Sequence, residues 1–253
     1  MNLAFAKIIL VMQYIEIFEL VGVIAFAMAG VLVGIEYGFD LFGIFVLAFL
    51  TALGGGLFRD LMLGNHPPVC FTHFSYIICV AVTVVLFLIF LKVFDTHLGT
   101  RDIDKIKALI TFFDAVGLGI FCVTGTIFAM DMGYADNMLL CVASGLVTSI
   151  VGGMCRDVLA TRKPVVLRKE IYAVAAIIGS VIYYLTYQII GNVFAIYLCA
   201  VIVTIIRLVS VRKRMNMLFS VKNEKLMQKE EDYEAKRKEY YGFEHEDTPH
   251  SDK

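Results

Sequence analysis

Charged residues are scarce in most of this sequence. Only 18% of the 253 residues are charged, and residues 212–253 hold ten of the 22 Lys and Arg and ten of the 23 Asp and Glu. No basic excess remains in the rest of the chain, which argues against nucleic acid as a partner. The six cysteines lack a CxxC or Cys/His spacing, so we expect neither disulfides nor a metal site. A nucleophile–base set and a phosphate-binding loop are also lacking, so we expect no catalytic residues and no enzyme activity.

Apolar residues are what the sequence has in abundance. They make up 59% of the chain, and the mean hydropathy is +0.80, whereas soluble domains are roughly 45–50% apolar. A helix needs about 20 apolar residues to cross a bilayer. Seven segments meet this length: 15–35, 41–62, 71–92, 110–130, 137–159, 171–190 and 192–211. The sequence therefore predicts an all-α membrane protein with seven transmembrane helices.

The sequence also repeats itself after about 95 residues. FELVGVIAFAMAG is echoed by FDAVGLGIFCVTG, and LAFLTALGGGLFRD is echoed by VASGLVTSIVGGMCRD. The matched positions are Glu19 with Asp114, Gly22 with Gly117, Thr51 with Thr148, Gly55-Gly56 with Gly152-Gly153, and Arg59-Asp60 with Arg156-Asp157. Repeats inside apolar sequence indicate a duplicated membrane architecture. Each copy holds three spans, and the seventh span is additional.

Basic residues predict the orientation of the spans. Those outside the spans gather in the loop after span three, the loop after span five and the C-terminal tail, which all lie on one side of a seven-span arrangement. By the positive-inside rule this side is the cytoplasm, so the N-terminus lies outside. We expect a multi-pass protein of the inner (plasma) membrane. Because three is an odd number of spans, the second copy enters from the opposite side, and the repeats are inverted.

These expectations divide the chain into six segments. They are an N-terminal extracytoplasmic segment (1–13), a first three-helix repeat (14–92), a cytoplasmic loop (93–109), a second, inverted three-helix repeat (110–190), a seventh helix (191–211) and a charged cytoplasmic tail (212–253).

Glycine runs occur at the same depth in spans two and five. Gly54-Gly55-Gly56 lies about 12 residues into span two, which is roughly 18 Å along a helix and near the bilayer midplane. Gly152-Gly153 lies at the matching depth in span five. Consecutive glycines weaken a helix, so one interpretation is a kinked helix that lines a pathway. The other is close packing of two helices, for which small residues are also used.

Charged residues follow each glycine run. An intramembrane charge costs at least about 2.5–3.5 kcal/mol and is a functional hypothesis by default. From the depths in the two inverted copies we predict two ion pairs, Glu19 with Arg59 near the outer face and Asp114 with Arg156 near the inner face. Asp60 and Asp157 adjoin the arginines and complete the two charged mouths. The alternative is that these side chains snorkel at helix ends and pair only structurally.

Other polar groups have two possible roles each. Thr51, Thr148 and Ser149 lie one turn before the glycines, where their hydroxyls would either contact a dehydrating cation or bond to carbonyls of their own helix. Acidic residues flank the short loops after the first span of each copy: Glu36, Asp40, Asp131 and Asp136. They would concentrate cations at a mouth or are simply solvated.

The paired motifs resemble a known family. TALGGGLFRDLMLG and GLVTSIVGGMCRDVL are similar to the prokaryotic trimeric intracellular cation channels, a group also labelled as an uncharacterised membrane family and as a glycine transporter domain. The resemblance covers about residues 14–211. It implies a 3+3+1 arrangement of helices, a homotrimer and one pore per protomer lined by kinked second and fifth helices. The second glycine run is shorter than the first, which weakens the expectation of a kink there.

Two functions follow from this resemblance and from the inverted repeats. The first is a cation channel that passes monovalent ions, chiefly potassium. The second is a secondary transporter for a small zwitterion such as glycine, because inverted repeats with broken helices also build transporters. The expected partners are other copies of the chain, the lipid bilayer and monovalent cations. No cofactor is expected besides permeant potassium or sodium ions and bound lipid.

Overall fold

The computed structural model describes residues 3–93, 103–168, 171–190 and 192–213. All of them belong to one compact unit, Met1–Asn216. The predicted charged tail lies almost wholly outside the described residues, and so does much of the predicted loop at 93–109.

The described part of the chain is helical. Its α-helices are α1 (Leu3–Glu36), α2 (Leu41–Leu63), α3 (Val69–Thr72), α4 (Ser75–Val93), α5 (Ile103–Ala129), α6 (Met138–Leu159), α7 (Val165–Arg168), α8 (Ile171–Ile190) and α9 (Asn192–Arg212). A π-helical turn, Met130–Tyr134, extends α5. The short helices α3 and α7 were not predicted. They occupy the same place in the two repeats, directly after the loops that follow α2 and α6.

Six helices in the described residues are long and apolar enough to cross a membrane. The six spans are Tyr14–Glu36, Leu41–Leu63, Ser75–Val93, Lys105–Tyr134, Met138–Leu159 and Val193–Arg212. The apolar stretch of α8, Ile171–Tyr187, is shorter. The all-α membrane class is therefore confirmed, while a seventh crossing by α8 stays a prediction.

Equivalent polar groups begin the second long helix of each repeat. The Asp40 side chain accepts a 2.7 Å hydrogen bond from the Gly43 amide at the start of α2. Asn137 accepts a 3.1 Å bond from the Leu140 amide at the start of α6. Both satisfy an amide that has no partner within its helix. The structural counterpart of Asp40 is thus Asn137, and Asp136 is an exposed loop residue.

Two pairs of contacts show how the repeats face each other. Gly22 of α1 packs against the Phe121 ring of α5, and Gly117 of α5 packs against the Phe26 ring of α1. The two rings meet edge to face with centroids 5.1 Å apart. Because Gly22 matches Gly117 and Phe26 matches Phe121 in the repeat, the contact is reciprocal. As α1 proceeds from 22 to 26, its partner positions on α5 fall from 121 to 117, so these helices run antiparallel.

The helix outside the repeats packs mainly against the second of them, although its Tyr197 ring also lies 5.0 Å from the ring of Phe18 in α1. Helix α9 packs against α5 and α8. Its buried residues Ala195, Cys199 and Val203 share a core with the α5 and α8 side chains. The first repeat has no counterpart of α9 in the described structure. This helix therefore makes the surroundings of the second repeat different from those of the first.

Candidate functional site: two charged clusters on either side of a helix crossing

The first charged cluster joins α1, α2 and α4. Arg59 Nε donates to Asp60 Oδ1 at 2.9 Å, and Arg59 Nη1 donates to Glu19 Oε1 at 3.3 Å. The Tyr76 hydroxyl donates to the other Glu19 oxygen at 2.7 Å. Asp60 Oδ2 accepts a 2.7 Å bond from the Val69 amide at the start of α3. One guanidinium thus lies between two carboxylates, and every member has a partner.

The second cluster repeats this pattern with α5, α6 and α8. Arg156 Nε donates to Asp157 Oδ1 and Nη1 donates to Asp114 Oδ1, both at 2.9 Å. Asp157 Oδ2 accepts from the Val165 amide of α7 at 2.9 Å. The Tyr172 side chain interacts with Asp114, as Tyr76 does with Glu19. The structure therefore brings together the members of both predicted pairs, with one tyrosine added to each.

Burial distinguishes these clusters from snorkelling residues at helix ends. The side chains of Arg59 and Arg156 are 3% and 1% exposed, and Asp114 is 4% exposed. A charge removed from water is tolerable only when it is paired and hydrogen-bonded. Two carboxylates and one guanidinium sum to −1 in each set, before the further arginines of the second cluster are counted, and a negative set attracts cations and repels anions.

The second cluster has two more arginines that the first lacks. Arg162 Nη2 donates to Asp157 Oδ1 at 2.6 Å, and Arg162 Nη1 lies 3.7 Å from Glu36 Oε2. Arg207 of α9 places its guanidinium carbon 4.7 Å from the centre of the Tyr172 ring. Around the first cluster, Arg59 instead lies over an apolar ring, with its guanidinium carbon 3.7 Å from the centroid of Phe128.

Gly55 and its repeat counterpart Gly152 lie where α2 and α6 cross. A Cβ on Gly55 would overlap the Thr148 carbonyl, and a Cβ on Gly152 would overlap the Thr51 carbonyl. These reciprocal contacts run in opposite directions along the two helices, so the helices are antiparallel. Both helices are continuous α-helix through the glycines. The structure thus favours the packing interpretation for Gly55 and Gly152, and a kink stays a prediction.

The last glycine of each run has a different neighbour. A Cβ on Gly56 would lie 3.7 Å from Arg59 Nη2, and a Cβ on Gly153 would lie 3.6 Å from Arg156 Nη2. These two glycines therefore face the guanidiniums and leave space beside them. Gly54 has no glycine counterpart, and its Cβ would lie 3.6 Å from the Gly152 Cα, which is ordinary contact.

The predicted hydroxyls bond to their own helices. Thr51 Oγ1 donates to the Leu47 carbonyl at 2.5 Å, Thr148 Oγ1 to the Ser144 carbonyl at 2.6 Å, and Ser149 Oγ to the Leu146 carbonyl at 3.0 Å. A donor used in this way leaves only the oxygen lone pairs for another partner. The helix-bonding interpretation therefore describes this structure, and direct contact with a cation stays a prediction.

A cavity connects the first cluster with the helix crossing. Its volume is about 30 Å³, which is enough for roughly one or two water molecules. Its polar wall is formed by Glu19, Arg59, Asp60 and Tyr76, and its inner end reaches Ala52, Gly56 and Thr148. Along α2, the crossing at Gly55 is four residues from Arg59, or about 6 Å. The cavity is thus a short vestibule that ends at the crossing.

The remaining predicted acids do not join these clusters, apart from Glu36 beside Arg162. Asp40 caps α2, and Asp131 and Asp136 are exposed. In the part of the chain that the structure describes, no three His, Cys, Asp or Glu residues lie close enough together to hold a metal ion.

Four side chains of the clusters were not predicted as site residues from the sequence: Tyr76, Tyr172, Arg162 and Arg207. The two tyrosines occupy matching places at the start of the third long helix of each repeat, so the repeat itself was the available signal. Arg207 is a single arginine within the apolar run VIVTIIRLVS. An arginine inside a membrane span is a candidate functional residue, so the apolar run was the available signal.

Comparison with known proteins places this arrangement among membrane proteins. The chain matches the family model described as "Glycine transporter" over residues 16–92 and 111–188. It is 31% identical to the UPF0126 membrane protein YvgT of Bacillus subtilis (strain 168), over 77% of this chain and 91% of that protein. It is 34% identical to the UPF0126 inner membrane protein YadS of Escherichia coli (strain K12), over 67% of this chain and 77% of that protein.

Solved structures of membrane channels have a similar fold. "Crystal structure of a prokaryotic TRIC channel in 0.5 M KCl" aligns with a TM-score of 0.71 at 31% identity, over 81% of this chain and 99% of that chain. The trimeric intracellular cation channel orthologue from Rhodobacter sphaeroides aligns with a TM-score of 0.69 at 27% identity, over 80% of this chain and 100% of that chain.

Proposed function

We propose that this chain, which belongs to the family described as glycine transporters and to the UPF0126 membrane proteins, is a cation channel. The resemblance drawn from the paired glycine and Arg-Asp motifs is confirmed, because the solved neighbours are trimeric cation channels. We propose that each protomer of a homotrimer holds one pore for monovalent cations, chiefly potassium.

The observation that carries the proposal is the pair of buried clusters on opposite sides of one helix crossing. Position 59 of α2 and position 156 of α6 lie about 18 Å apart along the antiparallel pair, counted at 1.5 Å per residue from the contacts at the crossing. In the first cluster two carboxylates share one guanidinium, whereas in the second the same three groups are joined by Arg162, Arg207 and Glu36, which bring the sum of charges to zero. In a low-dielectric setting an excess carboxylate raises the local cation concentration and lowers that of anions.

The crossing itself is where the proposed pathway closes. Gly55 and Gly152 hold the two backbones together, so the vestibule ends there. Conduction requires α2 and α6 to separate or bend at the glycine runs, as the family resemblance implies for kinked helices two and five.

A second candidate function is secondary transport of a small zwitterion such as glycine. The family description favours it, and so does the chemistry of the clusters, since a guanidinium can receive a carboxylate and a carboxylate can receive an ammonium group. The channel is preferred because both solved structures aligned above are described as channels.

Recording from the purified full-length chain in planar bilayers separates the two. In asymmetric KCl, single-channel currents that reverse toward the potassium equilibrium potential are expected. Silence in the bilayer together with saturable uptake of labelled glycine into proteoliposomes would overturn the channel and support the transporter.

Glu19→Gln tests the role of the excess carboxylate. This change neutralises the first cluster, so the potassium-to-chloride permeability ratio is expected to fall about two- to fivefold, which is the effect of one unit charge near a wet site. The matched control is Glu16→Gln, which alters an exposed carboxylate one turn earlier on α1. An unchanged ratio in Glu19→Gln, or an equal fall in the control, would contradict a selective role for Glu19.

The remaining parts of the proposal concern assembly and placement. We propose that α8 is the seventh crossing and that the protein lies in the bacterial inner membrane with its N-terminus outside. Besides permeant cations, the expected bound molecule is lipid. Native mass spectrometry tests the trimer, and reporter fusions at both termini test the orientation. The chain is not an enzyme, since the solved structures that it resembles are channels.

A further inference from the structure

We propose that Arg207 and Arg162 make conduction asymmetric, so that cations pass more readily from the first cluster toward the second than in the reverse direction. This inference rests on the proposed channel function. It arises from the one large difference between the two clusters, which is their charge.

The first cluster has an excess of negative charge. Glu19 and Asp60 share the single guanidinium of Arg59, and the aromatic ring over that guanidinium is neutral. The residue that matches Arg162 in this repeat is Asn65, because both backbone amides bond five residues back, to Asp60 and Asp157 respectively. An uncharged side chain therefore stands where the second repeat has a cation.

The second cluster has lost this excess. Asp157 accepts hydrogen bonds from both Arg156 and Arg162, at 2.9 and 2.6 Å. The guanidinium of Arg207 lies against Tyr172, whose hydroxyl is next to Asp114 and Gly153. Three guanidiniums thus surround two carboxylates. Glu36 Oε2 lies 3.7 Å from Arg162 Nη1 and adds a third carboxylate. The net charge of the second cluster is then zero, whereas that of the first is −1.

Arg207 has an aromatic partner in Tyr172 but an incomplete set of hydrogen bonds. The residue is 2% exposed, and its buried Nε has no hydrogen-bond partner among the residues that the structure describes. A buried cation without a full set of partners costs free energy. Because Arg207 lies over Tyr172 of the second cluster, this cost falls beside one end of the proposed pathway and not beside the other.

The electrostatic consequence is a difference in cation supply. A cation approaching the first cluster meets an attractive site, whereas one approaching the second meets a neutral site. Since one unit charge changes the local cation concentration by about two- to fivefold near a wet surface, the currents at equal and opposite voltages are expected to differ by a similar factor. The difference is expected to shrink in 1 M salt, where the screening length falls to about 3 Å.

The test is single-channel recording of the full-length protein in symmetric 0.1 M KCl, with equal and opposite voltages applied to each channel. The parent is expected to rectify about two- to fivefold and to lose most of this in 1 M KCl. Arg207→Gln and Arg162→Asn are each expected to bring the current ratio toward one. Arg207→Lys, which keeps the charge, is expected to rectify as the parent does.

A mirror variant and a matched control sharpen the result. Asn65→Arg supplies the first cluster with the cation that it lacks, so it is also expected to reduce rectification. Arg212→Gln removes an exposed charge from the last turn of the same helix as Arg207 and is expected to leave the ratio unchanged. Currents that are symmetric in the parent, or rectification that survives Arg207→Gln and Arg162→Asn, would overturn this inference while the channel itself stands. Absence of any current would overturn both proposals.

Discussion

The first and second repeats use the same backbone framework to hold different electrostatic surroundings. In both, an Arg-Asp pair follows the glycines, the aspartate accepts from the amide that begins a short helix, and a tyrosine from the third long helix contacts the partner acid. The first guanidinium then meets a phenylalanine, while the second cluster gains two arginines. The repeated motifs therefore set the geometry of both clusters, and residues outside these motifs set the net charge around each one.

The largest loss of stability is expected from replacing the arginine that both clusters share, Arg59 in the first and Arg156 in the second. Arg156→Gln leaves Asp114 without its guanidinium in a buried site, while Asp157 keeps Arg162 at 2.6 Å, and the loss of one partner of a buried pair costs about 3–5 kcal/mol. Arg59→Gln is expected to cost a similar amount, because Asp60 is 2% exposed and loses its guanidinium, while Glu19 is 17% exposed and can regain water. The measurement is the midpoint of heat denaturation in detergent, followed by size-exclusion chromatography, with Arg212→Gln as the control. A variant at either position that denatures like the parent would contradict the role of that arginine in the buried pairing.

The crossing glycines are expected to respond alike in both repeats. Gly55→Ala and Gly152→Ala each push a methyl group into a backbone carbonyl of the other helix, and overpacking of this kind costs about 1–3 kcal/mol. Gly54→Ala is the matched control, because its methyl group has room and alanine favours the helix by about 1 kcal/mol. The same denaturation assay is used. Loss of stability in Gly54→Ala, or none in the other two, would refute the assignment of the crossing.

The smallest change in stability is expected at the left-handed residue that follows the second long helix of each repeat. Gly64 has φ +72° and its counterpart Thr161 has φ +53°, a left-handed conformation that costs a residue with a Cβ about 1–2 kcal/mol. Gly64→Thr is expected to destabilise the protein by about this amount. Thr161→Gly is expected to gain less than about 1 kcal/mol, since glycine also loses more chain entropy on folding. Opposite shifts in denaturation midpoint would support this, and shifts of the same sign would refute it.

Much of the framework could be predicted because it depends on local patterns. Apolar runs gave the long helices, and the echo of Glu19 and Arg59 in Asp114 and Arg156 identified two acid–arginine pairs before any contact was known. The pairing could be inferred because inverted topology fixes the depth of each residue in the membrane. Asp40 was harder, since its role as a helix cap depends on where α2 begins, which the apolar run alone does not mark.

Other features depend on which helices become neighbours. The glycine runs are compatible with a kink or with close packing, and only the opposing carbonyls of Thr148 and Thr51 separate Gly55 and Gly152 from Gly56 and Gly153. Tyr76 and Tyr172 look like ordinary residues at the ends of apolar helices until an acid lies beside them. The hydroxyl of Thr51 is equally ambiguous until its bond to the Leu47 carbonyl is seen.

The membrane class, the duplication and the composition of each acid–arginine pair follow from the chain alone, because hydropathy and repetition need no partner. The difference between the second repeat and the first becomes visible only once the helices are packed together. Arg207 reaches Tyr172 from a helix outside the repeats, and Arg162 meets both Asp157 and Glu36. Such contacts join residues that are distant in sequence, and the charge balance of a buried site depends on everything that packs around it.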